Sequence, residues 1–425
     1  MKFIIYNLGC KVNSYESNLM TELLEKAGFV LIDDVTKADI AIVNTCTVTN
    51  TADNKSLKLM RQIKRTKPDI ILVAAGCLAQ VDSESIKAKA SADIIIGNIG
   101  KSKIVEKINE FLKQKSQLID IKDIMKCPFE DMKINNFNKT RAFVKIQDGC
   151  NNYCSYCIIP YARGNVRSKS KDAVLSEITD LIKNGHHEIV LSGIHTGHYG
   201  SEFRNYDFAD LLNDILKIEG LERLRISSIE IVELTEKFLQ VLKNNKVLVD
   251  HLHIPLQAGS DEILKLMNRR YNLAFFENKI ADIRNIRPSI AISTDVIVGF
   301  PNETTELFQE TIATVKRIKF SKIHVFPYSR RKGTKADQMD NQIDEFVKKE
   351  RSRMLVQVSK ELEIEYMEKF LNQEVEFIPE TYHNGFILGH TGNYLAIKTK
   401  GTESELNQNK RVKITKIEYP YCIAE

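Results

Sequence analysis

Three cysteines in one short stretch set the chemistry this sequence can support. Asp148-Gly149-Cys150-Asn151-Asn152-Tyr153-Cys154-Ser155-Tyr156-Cys157 spaces its thiols as C-x3-C-x2-C, in a loop that follows the apolar run Phe143 to Ile146. Thiolates this close in sequence can wrap an iron–sulfur cluster. A [4Fe-4S] cube has four irons, so three thiolates leave one iron open to chelate a small molecule through an amino and a carboxylate group. Zinc is the competing occupant and ordinarily takes a fourth ligand to close a tetrahedral site. Cys127 or a histidine would have to supply it. The open three-thiolate arrangement favours iron–sulfur.

A second trio lies upstream. Phe3 to Tyr6, Asp39 to Val43 and Ile70 to Val73 are short β-branched runs that read as buried parallel strands. Ser14 to Ala27 carries Leu19, Leu23 and Leu24 at helical spacing and stops at Gly28. Strand-then-helix alternation predicts an α/β sheet with right-handed crossovers, whose ligands gather at the carboxyl ends of the strands. Cys10, Cys46 and Cys77 each fall just past one of these strands, so three thiols are expected at one rim. The competing reading is three small buried hydrophobes, a common fate of free cysteine.

The elements that must position these loops follow from the same periodicity. Residues 1–115 form the N-terminal α/β unit, and 116–140, without clear periodicity, read as a linker. Residues 141–340 resume the alternation with candidate strands at 143–146, 188–191, 224–226, 252–254, 292–297 and 323–325. Six βα units suggest a partial or complete barrel with its site at the C-terminal mouth. A charged helical connector over 341–370 leads to 371–425, where short strands and the turn signal Asn384-Gly385 predict a small β-barrel. Around the larger barrel's mouth, Ser192 and Gly193 end a strand where backbone carbonyls could bind an amino group. Ser227, Ser228 and Glu230 follow the next strand. Gln257, Gly259 and Ser260 open a helix near Asp261, and Asp295 lies on a later strand. Capping and turn roles compete with ligand contact at each of these. His195, His198 and His253 read as hydrogen-bonded structural residues. Lys398, Lys400, Lys410, Arg411, Lys413 and Lys416 make the terminal barrel locally basic, with Tyr394, Tyr419 and Tyr421 available to stack on bases. A solvated basic face is the plainer alternative.

Bulk composition bounds these readings without deciding between them. The 425 residues suit roughly two to four domains, and a net charge of +5 excludes little. No apolar stretch approaches the roughly 20 residues needed to span a membrane. Leu8-Gly9-Cys10 faintly suggests a lipoprotein cleavage site, but the apolar run before it is too short for a secretory signal. A cytoplasmic protein with no membrane partner is expected. Its eight cysteines would then be reduced, which favours metal or catalytic use over disulfides. Cys127 and Cys422 have no partners in sequence and receive no role.

The cysteine loop at 150–157 resembles the radical S-adenosylmethionine (SAM) signature. Taken with the rest, the chain resembles the tRNA methylthiotransferases over nearly its whole length. Gly9 to Glu16, Asn44 to Asn50, Gly76 to Gln80, Asp148 to Gly164 and Gly193 to Gly197 are similar to the branch acting on N6-threonylcarbamoyladenosine. The resemblance implies an N-terminal methylthiotransferase domain, a radical-SAM (β/α) barrel and a C-terminal TRAM-like β-barrel. It implies two [4Fe-4S] clusters, one on Cys150, Cys154 and Cys157 that opens SAM to a 5′-deoxyadenosyl radical. The other, on Cys10, Cys46 and Cys77, carries the sulfur to be delivered. One SAM would methylate that sulfur, and a second would activate C2 of the adenosine at position 37, in tRNAs reading codons that begin with A. SAM contacts are expected from Ser192, Gly193, Ser228, Glu230, Gln257 and Asp295. Ser192-Gly193-Ile194 departs from the Gly-Gly-Glu found in many radical-SAM enzymes. An electron donor and a sulfur donor are required and unidentified. Rival readings are the same reaction on N6-isopentenyladenosine, a ribosomal-protein aspartate methylthiotransferase, a noncatalytic iron–sulfur RNA-binding sensor and a zinc-stabilised RNA-binding module.

Overall fold

A computed structural model describes all 425 residues. The β-branched runs near the N-terminus pair as a six-stranded parallel sheet of β1 (Lys2–Asn7), β2 (Val30–Leu31), β3 (Ile40–Thr45), β4 (Ile71–Gly76), β5 (Ile94–Ile96) and β6 (Leu118–Asp120). Their spatial order is β2-β1-β3-β4-β5-β6. The chain steps from β1 to one side and then crosses back to the other. The order therefore reverses between β1 and β3, and a crevice opens there at the carboxyl ends of the strands. Leu118–Asp120, within the stretch read as a linker, supplies the sixth strand. At three residues it is too short to show a period.

The second unit starts with β7 (Arg141–Lys145) and a small antiparallel pair, β8 (Gln147–Asp148) and β9 (Arg167–Ser168), which brackets the C-x3-C-x2-C loop. It continues through β10 (Glu188–Ser192), β11 (Arg223–Ile226), β12 (His251–His253), β13 (Ala291–Val298) and β14 (Lys322–Pro327). Two parallel three-stranded sheets result, β11-β10-β7 and β12-β13-β14. They meet where the Ile229 amide donates to the His253 carbonyl at 3.0 Å, forming a six-stranded partial barrel. Both outer edges are covered. The helix Lys11–Lys26 packs on β7, placing Tyr15 and Leu19 in the barrel's core. The helix Glu345–Glu368 packs on β14, where Ser359 Oγ bonds the Ile323 amide at 3.0 Å and its carbonyl at 3.1 Å.

The last 55 residues or so form a closed barrel of β15 (Glu374–His383), β16 (Phe386–Thr391), β17 (Ala396–Lys400), β18 (Lys410–Glu418) and β19 (Tyr421–Ala424), in the order β15-β16-β17-β19-β18. Alternation puts Phe377, Ile387, Ile397, Val412 and Ile414 inside. Cys422, on a strand the sequence pattern did not reveal, joins that core fully buried. No helix is long and apolar enough to cross a membrane.

Candidate functional site

The N-terminal trio converges through strand register. Thr45 pairs with Gly76, so Cys46 and Cys77, each one residue on, leave adjacent strands side by side. Cys10 caps the helix Lys11–Lys26 across the β1–β3 crevice. Gly76 turns with φ of +101°, and a Cβ there would lie 2.7 Å from the Asn44 side chain and the Thr45 carbonyl. Only glycine permits that approach. Burial and the neighbouring Cys77 and Cys10 push the Cys46 thiol up to about 11.

The second trio is held just as tightly. Gly149, with φ of +75°, passes so close to the Asn165 carbonyl that any Cβ would overlap it. The Cys150 amide donates to the Gly164 carbonyl at 3.0 Å, and Ser155 is tied to Met267 and Leu266. Burial, then Cys154 and Cys150, push the Cys157 thiol up to about 12. Arg269 Nη1 donates to Cys154 Sγ at 3.3 Å while the same guanidinium pairs with Glu230. His195 Nδ1 lies 3.7 Å from Cys150 Sγ, and its Nε2 meets Glu233. Burial alone would lower this imidazolium, but Cys150 and Glu233 outweigh it and push it up to about 10.

A buried charge network joins the two trios. Glu16 accepts from Lys101, from Lys145 at 2.8 Å and from Arg163 at 2.6 Å. Asp148, two residues before Cys150, pairs with Lys145 at 2.7 Å and with Arg163 and Arg167 at 3.3 Å each. Arg163 also donates to Asn13 Oδ1 at 3.1 Å, the atom to which the Cys10 thiol donates at 3.3 Å. On the other side, Asn98 Nδ2 reaches Cys77 Sγ at 3.5 Å and the Ala162 carbonyl at 2.8 Å. The loop that leaves Cys157 is thus bolted to the rim that carries Cys10 and Cys77.

The remaining expected positions divide. Ser192 is buried at the end of β10. Gly193 leaves room for Gln147, which accepts from the His195 amide at 2.8 Å and donates to the Asp148 and Gly149 carbonyls, each at 2.8 Å. Gly193, Ser227, Ser228 and Asp295 border a cavity of about 750 Å³ that also touches Cys10. Gln257 bridges to β13 through its backbone, with φ of +68°. Gly259 is a packing glycine: its amide donates to Thr311 Oγ1, and a Cβ would meet the Thr311 backbone at 2.6 Å. It is therefore not part of an open helix start. Tyr394 is not a free stacking surface. It lies under Arg225, 4.0 Å from its centroid, and beside His251 inside the barrel assembly.

Comparison with known proteins gives these features a lineage. Residues 2–97 match the uncharacterized protein family UPF0004, and residues 144–315 match the radical SAM superfamily. Threonylcarbamoyladenosine tRNA methylthiotransferase MtaB of Bacillus subtilis (strain 168) is 41% identical over 98% of this chain and 94% of its own length. The chain belongs to the threonylcarbamoyladenosine tRNA methylthiotransferase family. The relative of the same name from Thermotoga maritima is 35% identical over 96% of this chain and 94% of its own. A tRNA-2-methylthio-N(6)-dimethylallyladenosine synthase from Clostridium botulinum is 34% identical over 98% and 94%. Among solved structures, the radical SAM methyltransferase TsrM from Kitasatospora setae shares the fold at TM-score 0.55. It is 14% identical, with 77% of this chain and 74% of that one covered.

Membership in this family carries with it SAM and [4Fe-4S] clusters, and the residues fit such groups. Four buried cations, Lys101, Lys145, Arg163 and Arg167, face only two carboxylates, Glu16 and Asp148. Arg163 Nε, Arg167 Nε and Arg167 Nη2 are buried without hydrogen-bond partners. A surplus of buried positive charge is costly unless an anion balances it, and thiolates on iron supply that negative charge. The Cys46 and Cys157 thiols, raised by burial and by neighbouring cysteines, would lose their protons on binding iron. Arg163, Asn13, Asn98, Gln147 and Arg269 went unassigned in the sequence. The first two lie inside motifs that carried the family resemblance, whereas Asn98, Gln147 and Arg269 carry no local signal.

Proposed function

We propose that this chain converts N6-threonylcarbamoyladenosine at tRNA position 37 to its 2-methylthio derivative, with Cys150, Cys154 and Cys157 holding the SAM-cleaving cluster and Cys10, Cys46 and Cys77 the sulfur-carrying one. The observation that carries the reading is the Arg163 bridge, which ties the partner of Cys10 to the approach of Cys150 and so supports two cofactors held side by side. When bound, the clusters supply the electron that opens SAM and the sulfur that is delivered. The protein's own groups do the rest. Arg269, locked by Glu230, fixes Cys154. Gln147 braces the loop before Cys150 against the end of β10. We assign SAM to Gly193, Ser228 and Asp295, which border the cavity, and to Ser192, Glu230 and Gln257 near the same strand ends. The substrates in this reading are tRNAs for codons that begin with A, in the cytoplasm, where free thiols persist; electrons and sulfur come from separate donors.

Reconstituted protein, SAM and a reductant should convert an anticodon stem-loop bearing threonylcarbamoyladenosine to the 2-methylthio product, read by mass spectrometry. Conversion only of an isopentenyladenosine stem-loop would reassign the substrate.

For RNA binding we look to the outer face of the terminal barrel. Lys398, Lys400 and Lys413 lie on β17 and β18 without carboxylate partners, whereas Lys410, Arg411 and Lys416 pair with Glu405, Glu376 and Glu418. Exposed pairs of this kind are weak, so the face stays basic. Replacing Lys398, Lys400 and Lys413 with glutamine should weaken tRNA binding and flatten its log–log salt slope by about 2. An unchanged slope would move the contacts elsewhere.

A further inference from the structure

The cavity beside Cys10 runs down the barrel lumen to Tyr394. At about 750 Å³ it falls within the roughly 300–1,000 Å³ typical of ligand sites. Its wall is polar and unevenly charged. Lys11, one residue past Cys10, lines it and makes no hydrogen bond or ion pair within the chain. His253 of β12, Asp295 of β13 and His324 of β14 each bring a polar atom within 4.8 Å of the others'. Asp295 lies 3.3 Å from His253 Nε2, and His253 Nδ1 is held by Ser293 Oγ at 3.0 Å. The wall's other carboxylate, Glu363, is taken up by Lys322 at 3.1 Å. The wall's His251 and His390 are held by Ser293 at 3.0 Å and Glu380 at 2.8 Å, so what is left over is the unpartnered Lys11 ammonium beside the His324 imidazole.

An adenosine whose C2 meets the sulfur expected on the Cys10, Cys46 and Cys77 cluster would bring its N6 substituent near this space. N6 stands on C6, two ring atoms from C2, and Lys11 is one residue from Cys10, a ligand of the cluster expected to carry the sulfur. A threonylcarbamoyl arm ends in a carboxylate and also bears a hydroxyl and N–H groups; an isopentenyl arm is hydrocarbon throughout. We infer that Lys11 and His324 form the subsite that binds the carboxylate of the threonylcarbamoyl arm and so select this nucleoside, with His253 held beside them by Asp295 and Ser293. The inference rests on the reaction proposed above. The ammonium supplies a charge-assisted hydrogen bond, which is stronger than a neutral one. A hydrocarbon arm in the same place would strip water from these groups and give nothing back, the arrangement by which a polar site rejects an apolar analogue.

The test compares two anticodon stem-loops under anaerobic turnover, one with the free threonylcarbamoyl carboxylate and one with its methyl ester. The wild-type protein should prefer the free acid by about ten-fold or more in kcat/KM. Lys11→Met and His324→Leu should each bring that preference toward unity, mainly through KM, at unchanged iron content. Lys11→Arg should restore part of it. His324 lies on β14, in neither of the cysteine-bearing loops, so its variant decides the matter if the Lys11 variant loses iron. Equal wild-type rates on the two substrates, or full preference retained in iron-replete variants, would overturn the inference while leaving methylthiolation intact. Modification of neither stem-loop would instead remove the reaction itself, and the inference with it.

Discussion

Replacing Cys154 with alanine is expected to abolish reductive cleavage of SAM, by at least about a thousandfold, because a member of a group that works as a unit takes the unit's activity with it. Replacing Cys46 with alanine is expected to leave substantial SAM cleavage and yet remove the 2-methylthio product. The difference follows from position. Cys154 sits in the loop bracketed by β8 and β9, fixed by Arg269 at 3.3 Å, whereas Cys46 leaves β3 in the other sheet and shares its surroundings with Cys77 and Cys10. High-performance chromatography of 5′-deoxyadenosine and of tRNA nucleosides from the same reactions reads both outcomes. Normal 2-methylthio product from the Cys46 variant would end the sulfur-carrier role of that trio. Unimpaired cleavage in the Cys154 variant would remove the loop from SAM chemistry.

Glu16→Gln is expected to destabilise the fold by about 3–5 kcal/mol, the range found when one partner of a buried ion pair is lost. Glu16 is fully buried and compensates Lys101, Lys145 and Arg163 at once. Glutamine keeps the shape but leaves Lys101 without a carboxylate and Lys145, Arg163 and Arg167 sharing Asp148 alone. Because Arg163 joins Asn13 to Asp148, the iron content bound to both trios should fall as well. The same carboxylate gives a pH dependence. Burial alone would raise it, but the three cations outweigh burial and hold it well below the usual carboxylate range. Its contribution is therefore complete above the unfolded-state value of about 4.3 and disappears as the pH falls through the folded-state value. Circular dichroism melts of anaerobic protein at pH 7.5, about three units above that unfolded value, would show the loss. An unchanged midpoint and full iron loading in the variant would mean that the network does not hold the two units together.

What could be read from the sequence was whatever has a period or a spacing. The β-branched runs became strands close to where they were expected, and the strand-end position of Cys10, Cys46 and Cys77 followed from alternation alone. The short strands β6 and β19 escaped because three or four residues carry no period. The junction escaped for a different reason. Glu16, Lys101, Lys145, Asp148 and Arg163 are types that ordinarily face water, and only tertiary structure shows them buried. Two of the motifs that carried the resemblance, Gly9 to Glu16 and Asp148 to Gly164, hold three of those five residues. The motifs thus recorded an interface as well as ligands. Tyr394 shows the converse error: an aromatic in a basic segment suggested base stacking, yet it closes the lumen under Arg225. Arg269 has no local pattern at all, since its role depends on a helix turn meeting a loop 115 residues away in sequence.

The most direct test of the central claim is mass spectrometry of tRNA nucleosides from a host lacking this activity, with and without this gene expressed. The account predicts a new peak of 2-methylthio-N6-threonylcarbamoyladenosine that depends on expression and is absent with the Cys46→Ala protein. An unchanged nucleoside profile from cells containing iron-loaded protein, or a methylthio group on isopentenyladenosine alone, would contradict it.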